Sequence, residues 1–168
     1  MCSSDLSYLE VVHGQLTGRP PVVDLALEAA VQAFLRQAIA AGLVSAAHDL
    51  SDGGLAVAAA ECCLAGGLGA RFALPTGLAR PDRVLFAEGG ARLLVSVPAA
   101  QAEAWQSALH QAGAAVPAQR LGTVEAEPSL TIQQGTTTWL QLPVAALRDA
   151  FEQAIPRRLR EAGPPPEH

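Results

Sequence analysis

Asp49, Ser51 and Asp52 fall within four residues of one another, directly after His48 and directly before Gly53 and Gly54. An apolar run rich in alanine, beginning at Leu55, follows at once. That order predicts a strand, a tight glycine turn and a helix N-terminus. Such a turn offers backbone N–H groups and the positive end of a helix dipole to an anion. Asp49 and Asp52 are hard oxygen donors of the kind Mg²⁺ takes beside phosphates. The same residues also build a purely structural loop, with Asp52 as a helix cap and the glycines as the turn. Ser51 reads as a donor to a phosphate oxygen or as a turn serine bonded to its own backbone. His48 reads as a base or as a satisfied histidine beside a turn, the second more often. A second polar loop, Glu88-Gly89-Gly90-Ala91-Arg92, offers a carboxylate and a guanidinium that could pair with each other or face another domain. Arg19, before Pro20 and Pro21, reads as a phosphate ligand or a solvated loop residue. His13 and His110 read as surface or boundary residues. Cys62 and Cys63 have no neighbouring base or orienting acid, so neither reads as a nucleophile.

The elements must position these groups within 168 residues, enough for one domain with a real core. Half of the residues are hydrophobic and only 4% are aromatic, which suits an α/β or α+β domain with close helix–sheet contacts. The formal charge is −5 and the arginines are scattered, with no basic stripe or aromatic platform for nucleic acid. No apolar run approaches the roughly 20 residues of a membrane span, and no signal peptide is visible. Cys2, Cys62 and Cys63 make a poor disulfide framework and lack zinc spacing, which points to a reducing cytoplasm.

Met1–Leu6 (MCSSDL) does not read like the rest and resembles a translated sequencing adapter, so residues 1–6 are expected to be a non-native leader. A short helix over Ser7–His13 should be capped by Gly14. Gly18-Arg19-Pro20-Pro21 is a loop, because two prolines cannot continue a helix. Asp24 is a plausible N-cap for an amphipathic helix of roughly five turns, with Leu25, Ala29, Val31, Phe34, Leu35, Ala38 and Ile39 recurring up to Gly42. Val44–His48 reads as a short strand, and Leu55–Ala65 as a helix stopped by Gly66-Gly67. Leu68–Leu74 is a strand, Pro75–Asp82 a turn-rich connection, and Leu93–Val97 a buried strand. Ala99–Ala112 is a helix with Ala104, Trp105, Ala108 and Leu109 inward, ended by Gly113. Arg120–Val124 is a strand. Leu130–Gln133 and Thr137–Leu142 form a hairpin turned at Gly135. A last helix, Val144–Ala154, should turn Leu147 and Phe151 inward and end at Pro156. Residues 7–156 form the domain and 157–168 a flexible tail. The alternation, broken by the hairpin, predicts a mixed β-sheet covered by helices, an α+β fold.

The segment Ser45–Glu61 (SAAHDLSDGGLAVAAAE) resembles the signature of the phosphoribosylformylglycinamidine synthase family. Its flanks are similar too: Tyr8–Gly14, the Gly18–Pro21 turn and Asp24 resemble the lead-in to that family's last domain. Leu85-Phe86-Ala87-Glu88…Arg92 resembles its Phe-Gly-Glu…Arg loop, with Ala87 in place of glycine. Leu142–Leu159 resembles its closing helix. Aminoimidazole ribonucleotide synthetase and other related ATP enzymes share the architecture but have different-looking motifs.

The resemblance implies a C-terminal domain of the aminoimidazole ribonucleotide synthetase type, the last domain of a subunit built from two tandem copies. It implies an ATP-dependent ligase of purine synthesis that converts formylglycinamide ribonucleotide, with glutamine-derived ammonia, to formylglycinamidine ribonucleotide. Carried over residue by residue, Asp49 matches a Mg²⁺ ligand and Ser51 a nucleotide contact, with Gly53 and Gly54 counted in the nucleotide turn. Glu88 and Arg92 match, by internal homology only, a loop that touches the ribonucleotide substrate. No catalytic residue is expected, because the family's catalytic histidine lies in the first copy. ATP and Mg²⁺ are the implied cofactors. The implied partners are upstream domains, a separate glutaminase subunit and a small accessory subunit. Two rival readings are the C-terminal domain of a related ATP enzyme and a non-catalytic interaction domain.

Overall fold

The computed structural model describes residues 6–15, 22–77 and 80–161. The expected leader, apart from Leu6, the Gly18–Pro21 loop with Arg19, and the tail beyond residue 161 lie outside the described residues. The chain forms two compact units, residues 1–62 with 77–121 and residues 63–76 with 122–168.

In the first unit, α1 (Leu6–His13) ends at Gly14, whose φ is +61°. Tyr8 stacks on Phe86 with ring centroids 4.6 Å apart. Helix α2 (Leu25–Ala40) starts where a cap is expected: the Asp24 carboxylate accepts from Ala26 N at 3.1 Å and Leu27 N at 3.0 Å. Of its apolar positions Val31 and Ala38 are buried, whereas Leu25 and Ile39 are exposed. Strand β1 (Ala46–Asp49) pairs antiparallel with β3 (Leu93–Ser96), Asp49 opposite Leu93. This is a separate two-stranded ribbon, not part of one mixed sheet. Its strands are therefore partly open, and β3 is half-buried rather than buried. Helix α3 (Gly54–Gly66) buries Leu55, Ala56, Ala58 and Ala59. Alanine permits that burial on adjacent faces because it adds little bulk to the backbone. Helix α5 (Ala102–Ala112), preceded by a 3₁₀ turn, meets α2 through an edge contact of Trp105 with Phe34, ring centroids 5.3 Å apart. Ala104, expected inward, is exposed.

A short helix, α4 (Pro81–Leu85), stands inside the segment read as a turn and its continuation. Pro81 occupies its first turn, where a missing N–H costs nothing, and Pro81 and Leu85 are buried. The turn residues Pro75 and Gly77 masked this signal in the sequence.

The second unit is a four-stranded mixed sheet in the order β4 (Gly122–Glu125), β2 (Gly69–Leu74), β5 (Ser129–Gln134), β6 (Thr137–Pro143). Strand β2 runs parallel to β5, and the other pairs are antiparallel. Leu130 and Ile132 on β5 are its largest fully buried side chains, joined by Ala70, Phe72 and Leu74 from β2. Truncating either β5 residue to alanine would cost about 2–5 kcal/mol. The β5–β6 hairpin turns at Gly135, as expected. Helix α6 follows β6 directly and runs Val144–Glu161, through Pro156 rather than stopping before it. Phe151, expected inward, is 65% exposed, and Ile155 and Leu159 are exposed with it. The inward placement expected for Phe151 is therefore not met: among the described residues nothing buries this face.

Candidate functional site

The pairing of β1 with β3 brings the two glycine-bearing loops together. Leu50 N donates to Arg92 O at 3.0 Å, extending the ribbon past Asp49. Beyond it the chain turns: Gly54 N donates to Ser51 O at 3.0 Å. Gly53 and Gly54 have φ of +76° and +63°, the left-handed region that glycine alone enters without strain. Helix α3 then begins. The Gly53 N–H donates to Glu88 Oε1 at 2.9 Å. Among the described residues, the carboxylate that serves the start of α3 is therefore that of Glu88, whereas Asp52, the expected cap, is exposed.

Arg92 Nη1 donates to Ala87 O at 2.6 Å, so the guanidinium closes its own loop. Ala91 in that loop has φ of 55°, the only left-handed residue other than glycine among the described residues. That conformation costs an alanine roughly 1–2 kcal/mol and persists where surrounding contacts enforce it.

Asp49 and Ser51 face outward. The Asp49 side chain is 68% exposed, with Oδ1 3.7 Å from His48 Nδ1. His48 instead is tied in on both sides: Nδ1 lies 2.7 Å from Asp49 O and Nε2 lies 3.0 Å from Glu61 Oε2. His48 thus links β1 to α3. The Glu61 partner carried no signal in the sequence beyond its place in the alanine-rich helix. Burial first, and the Glu61 charge second, push the Cys62 thiol above its ordinary value. A thiol held protonated is a poor nucleophile, in keeping with the sequence reading. In α4, hydrogen bonds from Arg80 hold the Asp82 carboxyl below its ordinary value.

The donor chemistry fits Mg²⁺ in part. Asp49 offers an open hard carboxylate, and Mg²⁺ beside a nucleotide commonly takes one or two carboxylates together with phosphates and waters. Among the described residues no three His, Cys, Asp or Glu side chains gather to hold a metal by themselves. Asp49 can thus be one ligand of a shell whose remainder comes from elsewhere. The glycine pair plays a different part from a free amide cradle: both its N–H groups are bonded within the chain, to Glu88 and to Ser51 O. A shallow groove of about 350 Å³ between α2 and α5, lined by Phe34, Ala38, Leu43 and Ala108, lies apart from these loops.

Comparison with known proteins places these observations. The family described as "AIR synthase related protein, C-terminal domain" matches residues 6–135. The phosphoribosylformylglycinamidine synthase subunit PurL of Prochlorococcus marinus (strain MIT 9303) is 59% identical over 157 residues, 91% of this chain. The match spans only 20% of that relative's length. Among solved structures, T. maritima PurL complexed with FGAR aligns with a TM-score of 0.68 and 22% identity, over 86% of this chain and 24% of that one. T. maritima PurL complexed with ATP aligns with a TM-score of 0.66 and 23% identity, over 76% of this chain and 22% of that one. At such identities the structures establish the shared α+β fold.

Proposed function

The chain belongs to the family of AIR synthase-related C-terminal domains, and from that premise we propose that it is the last domain of the synthetase subunit of a phosphoribosylformylglycinamidine synthase. In this proposal it contributes half of a Mg²⁺–nucleotide site to an ATP-dependent carbon–nitrogen ligase. The substrates are formylglycinamide ribonucleotide and ammonia released from glutamine by a separate subunit. Upstream domains of the same subunit and a small accessory subunit complete the assembly, in the cytoplasm. The observation that carries the proposal is the outward presentation of Asp49 and Ser51 on a turn held from behind, within the stretch that resembles the family signature.

Each residue has a stated task. Asp49 supplies a carboxylate oxygen to Mg²⁺, and Ser51 offers its hydroxyl to a phosphate oxygen. Gly53 and Gly54 give the turn its shape. Mg²⁺, when bound, neutralises phosphate charge as an amide oxygen is phosphorylated and the phosphate is then displaced by ammonia. The substrate contact expected for Glu88 and Arg92 is not carried into this proposal, because their described bonds run inward to the chain. The site serves equally as a turnover site or as an auxiliary nucleotide site; both need the same two ligands.

The test is a chimera in which this chain replaces the matching fifth of the P. marinus subunit. Restored ATP-dependent conversion of formylglycinamide ribonucleotide is expected, and failure of a folded chimera to bind Mg²⁺–ATP would overturn the proposal. Asp49→Asn is expected to weaken Mg²⁺-dependent ATP binding about tenfold, as loss of one direct ligand. Unchanged binding removes Asp49 from the metal. The isolated 168-residue chain is expected to show no amidotransferase turnover.

A further inference from the structure

We propose that Glu88 and Arg92 are positioning residues that hold the Gly53–Gly54 turn, and through it Ser51 and Asp49, rather than ligands of a substrate; the link to nucleotide binding rests on the function proposed above. Two consecutive left-handed glycines have no side chains with which to fix themselves, and glycine loses more conformational freedom on ordering than any other residue. The turn must therefore be held from outside, and loop 86–92 does so at three points. Glu88 Oε1 accepts from Gly53 N at 2.9 Å. The Gly54 backbone packs directly on Phe86 and Ala87, so closely that a Cβ would lie 2.6 Å from Ala87 O and 2.8 Å from Phe86 C. Arg92 O accepts from Leu50 N at 3.0 Å on the far side of the turn.

The holding loop is itself braced. The Arg92 guanidinium donates to Ala87 O at 2.6 Å, beside the peptide that Gly54 touches. Tyr8 stacks flat on Phe86, the planes 7° apart. The left-handed Ala91 fits a loop whose shape is imposed by such contacts. The outcome is a division of labour. Glu88 and Arg92 are half-buried and engaged with backbone, while Ser51 and Asp49, three to five residues before the start of α3, stay open to solvent.

Amide exchange and backbone relaxation of the isotopically labelled 168-residue chain test this, with Glu88→Ala, Glu88→Gln and Arg92→Lys compared with the parent. Glu88→Ala should speed exchange of the Gly53 amide about tenfold, as expected for losing a charge-assisted bond, and should raise the mobility of Ser51. Glu88→Gln, which keeps an oxygen acceptor, should restore most of both. Arg92→Lys, which cannot reproduce the planar donor, should loosen the same residues without touching them. Millimolar Mg²⁺–ATP should then shift Asp49 and Ser51 resonances in the parent and in Glu88→Gln, and more weakly in Glu88→Ala. Unchanged Gly53 exchange and Ser51 mobility in Glu88→Ala overturn the positioning role. Tighter Mg²⁺–ATP binding in Glu88→Ala also overturns it, since Glu88 would then be an occupant the phosphate must displace. If Mg²⁺–ATP shifts nothing in the parent while the exchange effects hold, the nucleotide reading fails and the positioning role stands.

Discussion

The backbone of Gly54 rests on that of Ala87: a Cβ on Gly54 would come within 2.6 Å of the Ala87 carbonyl oxygen. The two residues belong to different glycine-bearing loops, joined because β1 and β3 pair. Gly54→Ala adds both a backbone clash and left-handed strain, for a loss of about 2–4 kcal/mol. Thermal melting checks this; an unshifted midpoint would show that the loops can part without cost.

His48 ties the end of β1 to α3 through Asp49 O and Glu61. Both side chains keep some exposure, so His48→Ala should cost about 1–2 kcal/mol, or several degrees in melting temperature. Glu61→Gln should cost less, because the amide oxygen still accepts a hydrogen bond. Equal losses for the two substitutions would mean that charge, not the bond, makes the link.

Asp82 in α4 is held below its ordinary carboxylate value, first by hydrogen bonds from Arg80, with burial opposing. A carboxyl lowered on folding adds stability above the unfolded value, and that stability is lost as pH falls through the folded value. Asp82→Asn should therefore destabilise the chain at neutral pH, by less than about 1 kcal/mol for so exposed a pair. The difference from the parent should vanish below the carboxylate range. A gap that persists in acid, read by melting across pH, would assign the effect to something other than this ionisation.

Pro156 sits inside α6 and cannot donate to the carbonyl four residues earlier. Pro156→Ala should raise helix content and stabilise α6 by about 1–3 kcal/mol, seen as stronger helical circular dichroism. Loss of helix signal would mean that Pro156 itself is needed for α6 to form.

Elements set by local chemistry were legible from the sequence alone: the Asp24 cap, the left-handed stop at Gly14, the hairpin turn at Gly135, and the strand–turn–helix order around Asp49. Caps and left-handed glycines act within a few residues, so their residue types report them directly. The family resemblance was legible for the same reason, because Ser45–Glu61 is one unbroken run. Only the tertiary structure decided that Glu88 rather than Asp52 serves the start of α3, that Glu61 holds His48, and that β1 and β3 form a ribbon of their own. Each depends on residues distant in sequence arriving at bonding distance, which neither periodicity nor spacing encodes. The stripe of Phe151, Ile155 and Leu159 marks the same boundary. The spacing of Leu147 and Phe151 predicts an inward face on a helix ending at Pro156, but what covers a face depends on what the rest of the fold brings to it.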